Sequence, residues 1–157
     1  MLDSCTTAQE RWGGVHKLID RWLAERKQLV SEYTALRDRA VPASSPDTDL
    51  ESFCDVLVDY TSAGHFEVYE QLIREAEEFN DLGGIQLAKQ LYPRIETITQ
   101  TAIQFNDQYG ESATGVDETL MQERLRHLGG LLHERFELED CLIEVLHTAH
   151  QDMLSAL

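Results

Sequence analysis

The chain has 157 residues, 42% of them hydrophobic, enough for one domain with a sizeable core and too many for wholesale disorder. Its formal net charge of -16 excludes a binder that grips nucleic-acid phosphates and favours basic partners met at salt-sensitive rates. With 9 Gly and 3 Pro the turns are too few for an all-β chain, and no apolar run approaches the ~20 residues of a membrane span.

Along residues 6–37, apolar side chains recur at Trp12, Val15, Ile19, Trp22, Leu29, Tyr33 and Leu36. Steps of three and four, with Arg26 as a member of the stripe, predict a helix packed in a bundle. Gly13-Gly14 predicts a short N-terminal helical extension or kink, with the main helix from Val15. A cation on an apolar seam, as at Arg26, needs a carboxylate partner or an open groove. Residues 39–47 hold two prolines and two serines and read as a linker. Asp47 or Thr48 then caps a second helix, with Asp49 and Glu51 in its first turn.

The second helix carries Leu50, Phe53, Val56, Leu57 and Tyr60 on one face, and the pattern continues through Phe66, Val68, Tyr69, Leu72 and Ile73. Ser62-Ala63-Gly64 thins its surface by three small residues, and Gly64 costs about 1 kcal/mol against Ala. Such a cost in a helix points to a close approach by something else. Asp59, Tyr60, His65, Phe66 and Tyr69 surround that thin turn, a mixture suited to a contact surface or a packed polar seam. Glu75, Glu77 and Glu78 oppose the helix dipole, so fraying is expected near Phe79-Asn80.

A third helix is expected from Ile85, stopping or kinking at Tyr92 before Pro93 and resuming with Ile95, Ile98, Ala102 and Phe105. Residues 106–115 read as a loop. The last helix runs from about Val116 past Leu146, with Gly129-Gly130 permitting a bend or a close crossing. The tail from His150 is expected to fray. The fold class is therefore all-α: an antiparallel four-helix bundle in one domain over residues 1–157, with a kinked third helix and frayed ends of about 10 and 7 residues.

Cys54 and Cys141 fall beside core positions and read as small buried hydrophobes; with Cys5 they make an odd count at wide spacing. That favours a reducing, cytoplasmic setting, and the first five residues show no secretory leader. A ferritin-like di-iron bundle needs two Glu-x-x-His pairs, and the chain has one, Glu144-x-x-His147. His133, Glu137, His147 and His150 could be imagined as ligands, but such clusters usually form surface pairs. No metal and no cofactor are expected, and His65 beside Asp59 or Glu70 has no nucleophile near it. The runner-up reading is a metal- or small-ligand-binding bundle built on His65, His133, Glu137 and Glu144.

The segment LVDYTSAGHFEVYE at residues 57–70 resembles the signature of the Rsd/AlgQ family of anti-sigma factors, the regulators of sigma D. LIDRWL at 18–23 is similar to its first-helix motif and LHERFELED at 132–140 to its last. ERWGGVH at 10–16 and CLIEVLH at 141–147 look most like the pseudomonad AlgQ branch. The resemblance implies a helical protein that is not an enzyme. It would bind the C-terminal, -35-reading domain of the primary sigma factor and so favour alternative sigma factors, without direct DNA or membrane binding. In the AlgQ branch it implies a link to alginate and siderophore genes. Asp59 would pair a sigma arginine, with Tyr60, Ser62, Gly64, His65, Phe66 and Tyr69 around it and Asp20 and Trp22 from the first motif. Arg135 and Glu139, with Asp20 and Trp22, either line the same groove or form a buried polar network that includes Arg26. Weak self-association through that face is compatible with this reading.

Overall fold

The computed structural model describes residues 8–40, 47–111 and 115–155; expectations for the N-terminal residues, most of the first linker, the tip of the third loop and the last two residues lie outside them. Helix α1 spans Ala8–Asp38. Helix α2, Thr48–Ala63, passes through a π-helical turn, Gly64–Val68, straight into α3, Tyr69–Glu78. Helix α4 spans Leu82–Tyr109. Helix α5, Glu118–Ile143, passes through a second π turn, Glu144–Thr148, into α6, Ala149–Ser155. Two of these rods are composite, so the described residues form four long helical rods and no strand, an all-α bundle. Among the described residues no helix is long and apolar enough to cross a membrane.

The core collects the stripes read from spacing: Val15, Ile19, Trp22, Leu29 and Leu36 from α1, Leu50, Phe53 and Leu57 from α2, Ile95 and Ala102 from α4, and Leu125, Leu128 and Leu132 from α5. Helix α1 packs along α2, α2 against α4, and α4 against α5. Caps fix the ends. Asp47 accepts from the Leu50 amide at 3.1 Å, and Asp117 from Leu120 at 3.1 Å. Arg39 clamps the base of the bundle, reaching Asp47 at 2.9 Å and Glu118 at 2.6 Å. Cys54 is buried and Cys141 half-buried, both free thiols.

Several expectations need correction. Helix α1 runs unbroken through Gly13-Gly14, so among the described residues no break separates an N-terminal segment from the main helix. Trp12 holds that turn in place: its indole donates to the His147 carbonyl at 2.9 Å and its ring stacks on His147 at 4.5 Å. This tertiary anchor outweighs the roughly 2 kcal/mol that two glycines cost a helix. Helix α4 starts at Leu82 rather than Ile85, because Asp81 caps it through the Gly84 amide at 2.9 Å. Of the two outcomes expected at Tyr92, a stop or a kink, the stop does not occur: α4 continues through Pro93, with buried Ala88 before the proline and buried Ile95 after it in one core. Apart from these corrections, α6 extends to Ser155 and His150 is buried.

Candidate functional site

The thin turn at Ser62-Ala63-Gly64 is where α2 widens into the first π turn, whose Tyr69 amide bonds back to the Gly64 carbonyl. A π turn leaves the preceding carbonyls poorly matched, and such turns are frequent at functional sites. Here the carbonyls are collected from inside. The Trp22 indole donates to the Tyr60 carbonyl at 3.1 Å, and Arg135 Nη2 to the Thr61 carbonyl at 3.4 Å. Gly64 gives room for that approach: a Cβ there would lie 3.0 Å from both Arg135 Nη2 and the Tyr69 hydroxyl, a tight contact.

Beneath the turn lies a dry ionic network. Glu139, with no exposed surface, accepts from the Tyr60 hydroxyl at 2.6 Å, from the Tyr69 hydroxyl, and from Arg135 Nε at 3.1 Å. Arg26 Nη2 adds a bond to Glu139 at 3.4 Å, its Nε donates to the Tyr60 hydroxyl at 2.9 Å, and its Nη1 donates to Asp140 at 2.6 Å. Arg135 Nη2 donates to the Tyr69 hydroxyl at 2.9 Å. Burial, then the charge of Glu139, drives the phenols of Tyr60 and Tyr69 far above the usual tyrosine range, so both stay neutral donors. Trp22 stacks on Tyr60 with ring centres 4.9 Å apart, and Arg26 lies 4.8 Å over Phe136. Arg26, Arg135 and Glu139 are joined in one hydrogen-bonded network in which Arg135 and Glu139 are fully buried and Arg26 partly so, with Trp22 packed against it.

Trp22, Tyr60, Gly64 and Tyr69, expected on a contact face, all lie inside the bundle. The reason is physical: the indole, both phenols and the glycine backbone each meet an internal partner. Asp59, Phe66 and Asp20 face outward, and Ser62 is half-buried. Phe66 is 78% exposed. Partial burial, then the nearby charges of Asp59 and Glu67, raise the pKa of the Glu25 carboxyl, which places these three acids in one field at the edge of the turn. His65 points the other way, toward α4. Its Nε2 lies 2.7 Å from Thr99 Oγ1, which itself donates to the Ile95 carbonyl, so His65 is the donor. Burial, then the Arg135 charge, pushes its pKa down to about 4, and the ring is neutral.

His65 does not meet the residues of the alternative metal reading. His133 and Glu137 form an exposed pair at 3.0 Å, and among the described residues no three His, Cys, Asp or Glu side chains converge as metal ligands. Sequence reasoning missed one cluster: Glu75, Asp81, His147 and His150 are joined by hydrogen bonds at the far end of the bundle. The His147-x-x-His150 spacing was its only visible trace.

Residues 1–147 match the family described as "Regulator of RNA polymerase sigma(70) subunit, Rsd/AlgQ". The chain is 41% identical over 148 residues to a "Regulator of sigma D" of Enterobacter sp. (strain 638), covering 91% of this chain and 88% of the relative. It is 34% identical over 151 residues to proteins of the same name in Yersinia pseudotuberculosis, covering 92% and 88%. A Yersinia enterocolitica relative of that name is also 34% identical, covering 92% and 89%.

Proposed function

Because the chain belongs to the Rsd/AlgQ family of regulators of the RNA polymerase sigma(70) subunit, we propose that it regulates transcription by gripping the primary sigma factor at its C-terminal, promoter-reading domain. The action is stoichiometric sequestration in the cytoplasm, without catalysis. Alternative sigma factors then compete better for core polymerase, with alginate and siderophore genes among the outputs.

The observation that carries this reading is the outward face of the first π turn. Phe66 is 78% exposed and adjoins Glu67, whose charge, with that of Asp59, acts on Glu25. An exposed aromatic on a turn that also carries acids fits an apolar pocket rimmed by guanidinium groups, as a basic promoter-reading domain would offer. Asp59 pairs an arginine, Phe66 fills the pocket, and Ser62 and Asp20 flank the contact, while His65 braces the turn from the α4 side through Thr99. Trp22, Tyr60, Gly64 and Tyr69 support it from within by fixing the turn's shape.

The test is calorimetric binding of the isolated sigma C-terminal domain to Asp59→Ala and Phe66→Ala variants. Each is expected to bind at least about tenfold more weakly, with melting and circular dichroism unchanged because both side chains are exposed. Undiminished binding by both variants moves the contact to another face.

A further inference from the structure

The second polar cluster has a role that the sigma-binding reading does not use. Glu75 on α3 is fully buried. Its Oε1 lies 2.7 Å from His147 Nδ1, and its Oε2 2.9 Å from His150 Nδ1. The other ring nitrogen of His150, Nε2, lies 2.8 Å from Asp81 Oδ2. Asp81 Oδ1 is already engaged, capping α4 through the Gly84 amide. Phe79 stacks on the His150 ring with centres 4.6 Å apart. On the opposite side, His147 Nε2 meets His16 Nδ1 at 3.1 Å, and His16 Nε2 lies 3.7 Å from Asp20.

Ionised carboxylates only accept hydrogen bonds. Both nitrogens of His150 face carboxylate oxygens, so the arrangement is complete only when both carry hydrogen. A neutral ring would turn a lone pair toward one of the two anions, where His150 and Glu75 have no exposed surface and Asp81 is only partly exposed. We infer that His150 is a proton-operated latch: as an imidazolium it bridges Glu75 and Asp81 and holds α6 against α3 and the start of α4, and losing the proton releases α6.

The surrounding charges fit this. Glu75 comes from α3, Asp81 from the segment before α4, and His147 from the second π turn; His16 and Asp20 on α1 are one hydrogen bond further off. Arg11 on α1, also buried, turns to Gln71 at 3.3 Å and Glu78 at 3.7 Å rather than to Glu75. Burial disfavours the charge on His150, but the bonds to Glu75 and Asp81 outweigh it and leave the pKa above the usual histidine value. The backbone bond from Gly84 comes first in lowering the pKa of Asp81, which keeps that partner ionised. A folded-state pKa above the unfolded one means the latch contributes fully below about pH 6.5. Its contribution is lost as pH rises through the raised value. The latch does not depend on which partner the first π turn binds.

Nuclear magnetic resonance on the intact chain decides it. Side-chain nitrogen shifts of the histidines are followed from roughly pH 5 to 9, with amide exchange in α6 measured at each step. The expected result is a doubly protonated His150 that titrates above the usual histidine value. Protection of the α6 amides then falls about tenfold, beyond the intrinsic base-catalysed rise, as pH passes that point. In Glu75→Gln the His150 titration moves down and the loss of protection moves with it. A His150 that is neutral at pH 6, or α6 protection that ignores its titration in the wild-type chain, overturns the inference; the wild-type data suffice if the variant does not fold.

Discussion

Glu139 is the side chain on which the interior of the bundle depends. It is buried, and it is the common acceptor for Tyr60, Tyr69, Arg26 and Arg135. Arg135 is equally buried, and its Nη1 has no hydrogen-bond partner among the described residues. Removing the carboxylate therefore strands a dry guanidinium. Glu139→Gln is expected to lose about 3–5 kcal/mol of stability in denaturant titration, whereas Arg135→Met with Glu139→Leu together recovers much of the loss. A Gln variant as stable as wild type would show that the network is not ionic. Part of this was legible beforehand. Arg26 on an apolar stripe demanded a carboxylate, and it found Glu139 and Asp140. Glu75 was not legible, because in sequence it is one of three glutamates at a helix end. The return of the second π turn and α6 from the far end of the chain covers Glu75, while Glu77 and Glu78 stay exposed.

At the scale of elements, glycines and the proline were legible as signals but not in their outcome. Gly129-Gly130 in α5 suggested a bend or a close crossing. The structure assigns the crossing to Gly129 alone: a Cβ there would overlap the Tyr33 hydroxyl of α1, while one at Gly130 would meet nothing within 4 Å. Alanine at Gly130 should therefore stabilise the chain by up to about 1 kcal/mol through helix propensity. Alanine at Gly129 should forfeit that gain or lose stability, since the half-buried Tyr33 must move. Equal melting shifts for the two variants would contradict this account of the crossing. The π turns could not be read from periodicity, because the apolar stripe continues smoothly across each. Their positions are set by what enters from the side, Arg135 and Trp22 at the first, and Trp12, bonded to the His147 carbonyl, at the second. At Gly13-Gly14 and at Pro93 the helix does not stop, since local propensity of a few kcal/mol yields to tertiary packing.

For the whole molecule, the all-α bundle followed from spacing, and the acidic balance of -16 was visible at once. What composition could not supply was where the acids gather. The charges of Asp59 and Glu67 act on Glu25, and Phe66, next to Glu67 in sequence, is exposed. Net charge of this size speeds the approach of a basic partner, and salt screens it over about 10 Å at 0.1 M. A docked aromatic is far less sensitive to salt than the encounter. The measurement that bears most directly on the central claim is therefore calorimetric titration of the wild-type chain with the isolated C-terminal domain of the primary sigma factor at two salt concentrations. The account predicts one-to-one binding that weakens at the higher salt without vanishing. Absence of binding at both concentrations, or binding that needs the rest of sigma, would contradict it.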